Sequence, residues 1–331
     1  MPVAEKVQII EQVTLRKLDY ARNYLESKGQ RKTGKRVEVR ERLLQLVDTS
    51  DSVVDDLREL LSELDAWGDQ RLKIARFDLR DLKAFKTKAS AYKRIAEAGM
   101  SALLEGEIAT EPPTTLTPMA IKYVEGEIPK LQLYAAKSRI VDIPENTVPS
   151  ITNEQYPGVI FKPFRQEIQK AVDFAEINLT NGEALFSTTL LKNGASYSAE
   201  FTELFEVFEP LISLEEAPPV ALYEAVKKIP ALSQKEVRIA SHDKRTSIGG
   251  KIKHQSGSLK ADMRQDKEIM SSERATKNTD SVSCNCYWAP SAKLSESVHA
   301  HIFAPEAEIS IMGQVREASV RHVLRRILEV N

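Results

Sequence analysis

The chain has 331 residues, 42% of them hydrophobic and 29% charged, with a formal net charge of −1. That length exceeds one small domain, and the near-neutral balance excludes a polycation, so any contact with nucleic acid must come from local basic clusters. The only cysteines are Cys284 and Cys286, which excludes a disulfide framework and points to a reducing, intracellular setting. The opening MPVAEKVQIIEQV has no signal-peptide pattern, and no stretch approaches the roughly 20 apolar residues of a membrane span.

Taken in chain order, residues 1–12 predict a short lead-in helix. Residues 15–43 then form two amphipathic segments around a basic connection, GQRKTGKR. Leu15, Leu18, Ala21 and Leu25 recur at helical spacing. Gly29 stands where a left-handed C-cap belongs. Val37, Val39, Leu43 and Leu44 can face the first segment, with Glu38, Arg40, Glu41 and Arg42 mostly toward water. Lys28, Arg31, Lys32, Lys35 and Arg36 fill the connection with no acid among them. Thr33 can cap the second helix, and Gly34 keeps the backbone open ahead of it.

This pattern resembles the SAP family of helix–extended loop–helix modules, through Leu25, Gly29, Gly34, Arg36, Val37, Glu38, Val39, Arg42 and Leu43. The family usually has an apolar residue after the first glycine, where this chain has Gln30. The resemblance implies shape-led binding of double-stranded DNA through phosphates, often with an A·T preference. Lys28, Arg31, Lys32, Thr33, Gly34, Lys35, Arg36 and Arg40 are then the expected contacts.

A capped amphipathic helix follows from Ser50 to Gly68, then a strand at 71–77 and a helix at 78–103. The stretch 108–118, rich in Thr and Pro, reads as a linker. Domains are therefore expected at 1–48, 49–110 and 111–331, with a further boundary near 231. Strand candidates lie at 120–124, 131–136, 140–143, 159–164 and 171–179, with a loop at 144–157. Asn181-Gly182 signals a hairpin to a strand at 184–191, closed by Asn193-Gly194. Helices are expected at 198–212 and 218–229. Beyond them come a strand at 236–240, a Gly/Ser/basic segment at 241–260 and a polar stretch at 261–276. Strands at 281–288, 297–303 and 307–312 and a closing helix at 319–330 complete an α+β chain with largely antiparallel sheet. Its order of elements is similar to that of the centromere protein N family, which implies a chromatin or multiprotein scaffold.

The chemistry-bearing residues are few. No Walker loop, GxGxxG, HExxH or GxSxG occurs. Asp173, Glu176, Glu200, Glu203 and Lys192 could supply a metal-dependent nuclease, the alternative to a protein without catalysis of its own. Cys284 and Cys286 could meet His301 and His299 across a hairpin and hold zinc. The alternation of Val282, Cys284, Cys286 and Trp288 against Val298, Ala300 and Ile302 instead places the cysteines in a core and the histidines away from them. No metal or cofactor is therefore expected. Lys244, Arg245, Lys251, Lys253 and Lys260, with His254 and Gly249, Gly250 and Gly257 among them, make a candidate second phosphate-binding surface. Arg316, Arg321, Arg325 and Arg326 read as a solvated helix face. The α+β region is expected to contact a protein partner or DNA.

Overall fold

The computed structural model describes all residues except 1–2, 17, 110, 145–150, 153–154, 156–159, 162–163, 192–196, 259 and 293. Lys192, Asn193-Gly194 and most of the expected 144–157 loop therefore lie outside the described residues.

In chain order the elements are α1 (Val3–Leu15), α2 (Leu18–Ser27), α3 (Arg36–Thr49), α4 (Asp51–Trp67), β1 (Gln70–Arg76), α5 (Lys88–Glu97), β2 (Thr117–Val124) and β3 (Lys130–Pro144). Then come β4 (Ile151–Thr152), β5 (Ile160–Phe161), β6 (Phe164–Asn178), β7 (Glu183–Thr189), α6 (Tyr197–Phe208) and α7 (Tyr223–Lys228). The last are β8 (Val237–Arg245), β9 (Lys251–Gln255), α8 (Lys267–Ala275), β10 (Asp280–Trp288), β11 (Val298–Phe303), β12 (Glu308–Met312) and α9 (Glu317–Val330). The fold is α+β, as the sequence implies. Two compact units divide it: Met1–Ile74 with Pro219–Asn331, and Ala75–Pro218. The expected boundaries at 48, 110 and 231 fall inside these units.

The first unit begins with four mutually packed helices, α1 to α4. Their shared core joins Ile10, Val13, Leu25, Val39, Leu43 and Leu57. The basic hairpin of α2 and α3 is thus half of a larger helical module. Val37, expected in that core, is 63% exposed; Val39, Leu43 and Val47 face inward instead, at four-residue intervals. The same unit holds antiparallel strands in the order β1-β12-β11-β10-β8-β9, with α7 against β10 and α9 against β11.

The second unit holds the order β2-β3-β6-β7, with β4 paired to β5. The strands expected at 131–136 and 140–143 are one strand, β3, paired with β6 along its full length. The hairpin at Asn181-Gly182 is present between β6 and β7. Phe201, Leu204 and Phe208 of α6 close the core over Leu133, Ala175 and Phe186. The helix expected at 78–103 is broken into a turn, a 3-10 segment at Lys83–Phe85 and α5. The basic segment 241–260 is largely a β-hairpin, because β8 runs on to Arg245 and pairs with β9.

Candidate functional site

The basic loop is a built structure. Helix α2 ends in a Schellman arrangement: Gln30 N–H donates to Leu25 O at 2.8 Å and Gly29 N–H to Glu26 O at 2.9 Å. This needs φ of +72° at Gly29, where a Cβ would be strained. Gly34 has φ of +137°, and a Cβ there would lie 2.4 Å from Glu38 Oε2. Arg42 gathers the loop backbone, donating to the carbonyls of Arg31, of Thr33 at 2.6 Å and of Glu38 at 3.0 Å. Arg22 donates to Gly34 O at 2.7 Å. Arg42 is among the residues that carry the SAP-like resemblance but is expected mostly toward water, whereas it turns onto the loop carbonyls. Arg22 has no sequence signal beyond its place on the first helix. Thr33 does not cap α3. The N-cap position is Lys35, without a side-chain cap, and Thr33 Oγ1 instead accepts from Arg31 Nε at 2.7 Å.

The loop cations divide into two groups. Lys28 pairs with Asp56 at 2.8 Å, Lys32 with Glu26 at 2.9 Å and Arg40 with Glu11 at 2.5 Å. The Lys28 ammonium holds the Asp56 carboxyl below its usual range, with the Tyr24 hydroxyl adding to the effect. Lys35 and Arg36 are exposed and make no ion pair among the described residues. Both lie at the start of α3, where its unbonded N–H groups add partial positive charge.

The second expected basic surface is split by the sheet. Lys244 is buried, not on the surface. Its Nζ sits 2.6 Å from Glu273 Oε2 and 3.3 Å from Thr276 O. Glu273 Oε1 also meets His242 Nδ1 at 3.0 Å and His254 Nδ1 at 2.7 Å. Burial alone would raise the Glu273 carboxyl, but the hydrogen bonds from His242 and Lys244 outweigh it and hold it at about 2. Arg245, Lys251 and Lys253 project from the opposite face, Lys251 pairing with Asp243 at 3.0 Å. The Gly249 and Gly250 N–H groups are also committed: Gly249 donates to Thr246 O and Gly250 to Thr246 Oγ1, closing the β8–β9 turn. Lys260 is exposed beyond the hairpin.

The cysteine and histidine pairs do not converge. The β10–β11 register sets Cys284 against Ile302 and Cys286 against Ala300, while Asn285 meets His301 and Tyr287 meets His299. The cysteines are free and buried on the core face, and the histidines lie on the other face. There His299 stacks on Tyr287, with ring centroids 4.0 Å apart, and Arg238 lies 4.0 Å over the other side of Tyr287. The alternation in SVSCNCYW and VHAHIF separated the two faces, but the sequence reading did not single out Arg238 or Tyr287.

Of the candidate carboxylates, Glu176 stands apart from Asp173, Glu200 and Glu203. Glu176 lies on the face of β6 opposite Asp173 and binds Lys130 at 3.0 Å and Gln132 at 2.8 Å. Glu200 and Glu203 of α6 bind Lys137, and Glu200 also binds Arg139. Asp173 is fully buried beside them, and burial pushes its carboxyl up to about 6 against the pull of Arg139 and the Thr189 N–H. The terminal arginines are tied down: Arg316 to Glu63 at 2.6 Å, Arg321 to Glu317 at 2.5 Å, Arg325 to Glu329 at 3.8 Å and Arg326 to Glu236 at 2.6 Å. No helix among the described residues is long and apolar enough to cross a membrane. No family model matches the chain, and no curated protein is significantly similar to it.

Proposed function

We propose that the chain is an intracellular, non-catalytic DNA-binding protein whose SAP-like hairpin of α2 and α3 grips the phosphate backbone of double-stranded DNA. The observation that carries this reading is the pair Lys35 and Arg36, exposed and without ion-pair partners at the start of α3 on a loop braced by Arg42 and Arg22. Arg31, on the same loop, is exposed as well. Lys28, Lys32 and Arg40 hold carboxylates in the free protein, but exposed pairs of this kind are worth only about 0–1 kcal/mol. Phosphates can therefore replace Asp56, Glu26 and Glu11 at little cost. Such contacts position the protein on DNA and carry no base sequence information.

The α+β region serves as the partner surface. Support comes from Ile140 and Ile168, cross-strand neighbours on the β3–β6 ribbon that are 68% and 77% exposed. Exposed apolar pairs of that kind suit a protein partner, in keeping with a chromatin scaffold. The nuclease alternative has less support, because Glu200 and Glu203 are engaged by Lys137 and Arg139.

The test is titration of a labelled duplex at several salt concentrations. Lys35→Ala with Arg36→Ala should weaken binding to all duplex sequences alike and flatten the salt slope by about two. Unchanged affinity and slope would remove the loop from the interface. Plasmid cleavage in Mg²⁺ that disappears with Asp173→Ala would favour the nuclease alternative.

A further inference from the structure

The sheet of the first unit has two unlike faces. One is apolar and buried, with Ile239, Cys286, Trp288, Ala300, Ile302 and Ile309. The cross-strand register lays ladders of another kind on the opposite face. One runs Met312, His299, Tyr287, Arg238, and the next Arg71, Ser310, His301, Asn285. A third runs Lys73, Glu308, Phe303, Ser283, Asp243, Lys253, and a last one pairs Lys251, Arg245 and Asp280. Six cations thus share this face with three carboxylates. Two of the three, Glu308 and Asp243, are already bound by Arg71 at 2.7 Å and Lys251 at 3.0 Å. Arg245 and Lys253 are exposed and make no ion pair among the described residues.

The aromatic groups stand on edge. Arg238, Tyr287 and His299 form one stack across three strands, with 12° between the Tyr287 and His299 planes. Arg71 lies 3.9 Å over Phe303, which contacts the His301 ring at 4.0 Å. At the His299 end the stack opens into a cleft of about 590 Å³, lined among others by Tyr287, His299, Met312, Gln314, Ser297 and Arg16. Gln314 Oε1 and His301 Nε2 are buried without a hydrogen-bond partner among the described residues. Burial, reinforced by Arg238 for His299 and by Arg71 for His301, pushes both imidazoles down to about 4. At neutral pH they are uncharged and offer hydrogen-bonding nitrogens.

We propose that this face binds single-stranded nucleic acid. One unstacked base enters the cleft beside His299 and Tyr287, and the phosphates follow Arg238 toward Lys253, Lys251 and Arg245. Seven residues of β8 separate Arg238 from Arg245, roughly 23 Å along the strand, a length suited to a few nucleotides. A duplex keeps its bases stacked and cannot present one to an aromatic cleft, whereas a single strand can. Amide, imidazole and hydroxyl groups among the rings match the edges of bases, and the cations at the β8–β9 margin match a backbone. The surface is distinct from the α2–α3 loop, so it extends the duplex contact proposed above and does not rest on it.

The full chain is titrated with a labelled oligothymidylate of about 12 nucleotides at several salt concentrations, with a duplex in parallel. Wild type should bind the single strand. Arg245→Ala with Lys253→Ala, both at exposed positions, should reduce the salt slope by about 1.4. Tyr287→Leu should weaken binding about ten- to one-hundred-fold, while Tyr287→Phe retains it. Lys35→Ala with Arg36→Ala should leave single-strand binding unchanged. The proposal is overturned if wild type does not bind the oligonucleotide, if the sheet variants bind as wild type does, or if only the loop variant loses binding. Loss of duplex binding alone in the loop variant reports on the loop and leaves the sheet result standing.

Discussion

Asp173 sits in β6 with one carboxylate oxygen accepting from the Thr189 N–H at 2.9 Å and the other buried without a partner among the described residues. Its carboxyl is raised from 3.8 to about 6, chiefly by burial. A group raised on folding favours the native state while protonated. Its contribution is complete below the unfolded value near 4 and is lost as pH rises through 6. That displacement corresponds to about 3 kcal/mol. Asp173→Asn removes the titration and keeps an acceptor for Thr189. Denaturant melts should therefore show the variant more stable than wild type at pH 8 by up to about 3 kcal/mol, with the gap closing at pH 4. A constant difference at both pH values would show that the carboxylate is not strained by burial. The identity of Asp173 as a buried acid was not legible from the sequence, since its neighbours come from β3 and α6. Lys244 was misread for the same reason: Glu273, which makes its burial tolerable, is on α8. Lys35 and Arg36 were legible as exposed, because they lie on a short connection between two amphipathic helices, where charged side chains seldom bury without a partner.

At the scale of elements, the apolar spacing located most helices and erred where two helix geometries share it. Leu82 and Phe85 are three apart, which suits a 3-10 turn as well as an α-helix. The chain takes the 3-10 turn because Thr87 and Ser90 form a reciprocal capping box that begins α5 afresh. Asp78 adds a local turn by accepting from the Arg80 N–H at 2.8 Å. In α2 and α3 the glycine signals and most of the apolar spacing locate the hairpin, but Leu15, expected on its inner face, ends α1 and is exposed, as is Val37. Leu25 is fully buried there, in a core shared by all four N-terminal helices. Leu25→Ala should cost about 2–5 kcal/mol, measured by thermal or denaturant melts. It should abolish duplex binding by loosening the module, whereas Lys35→Ala with Arg36→Ala should leave the melt within about 0.5 kcal/mol of wild type. A melt lowered equally in both would mean the loop cations hold the fold, not DNA.

At the scale of the whole molecule, the linear domain reading failed because the first unit is discontinuous. Composition marks the Thr/Pro stretch at 108–118 as a linker, yet contacts divide the chain at 74/75 and 218/219. Nothing in a sequence read in order shows that β1, near residue 70, pairs with β12, near residue 310. The long-range ties are specific: Arg316 binds Glu63 at 2.6 Å, Asp69 accepts from the Gly313 N–H at 2.7 Å, and Arg321 lies 4.6 Å over Trp67. Residues 1–74 alone lack all of these partners. The two segments of this unit nevertheless meet where the other unit departs, since the Val220 N–H donates to Ile74 O at 2.9 Å. A segment whose ends lie that close can be exchanged for a short linker without stretching the host, as insertions are commonly tolerated at such sites. Replacing residues 75–218 by a short Gly/Ser linker should therefore leave a chain that unfolds cooperatively and still binds duplex DNA with the wild-type salt slope. Residues 1–74 expressed alone should unfold without a cooperative transition. Calorimetry and duplex titration of both chains decide it: a cooperative 1–74 fragment, or a linker-joined chain without a transition, would show that the ties between the two segments are not what holds this unit together.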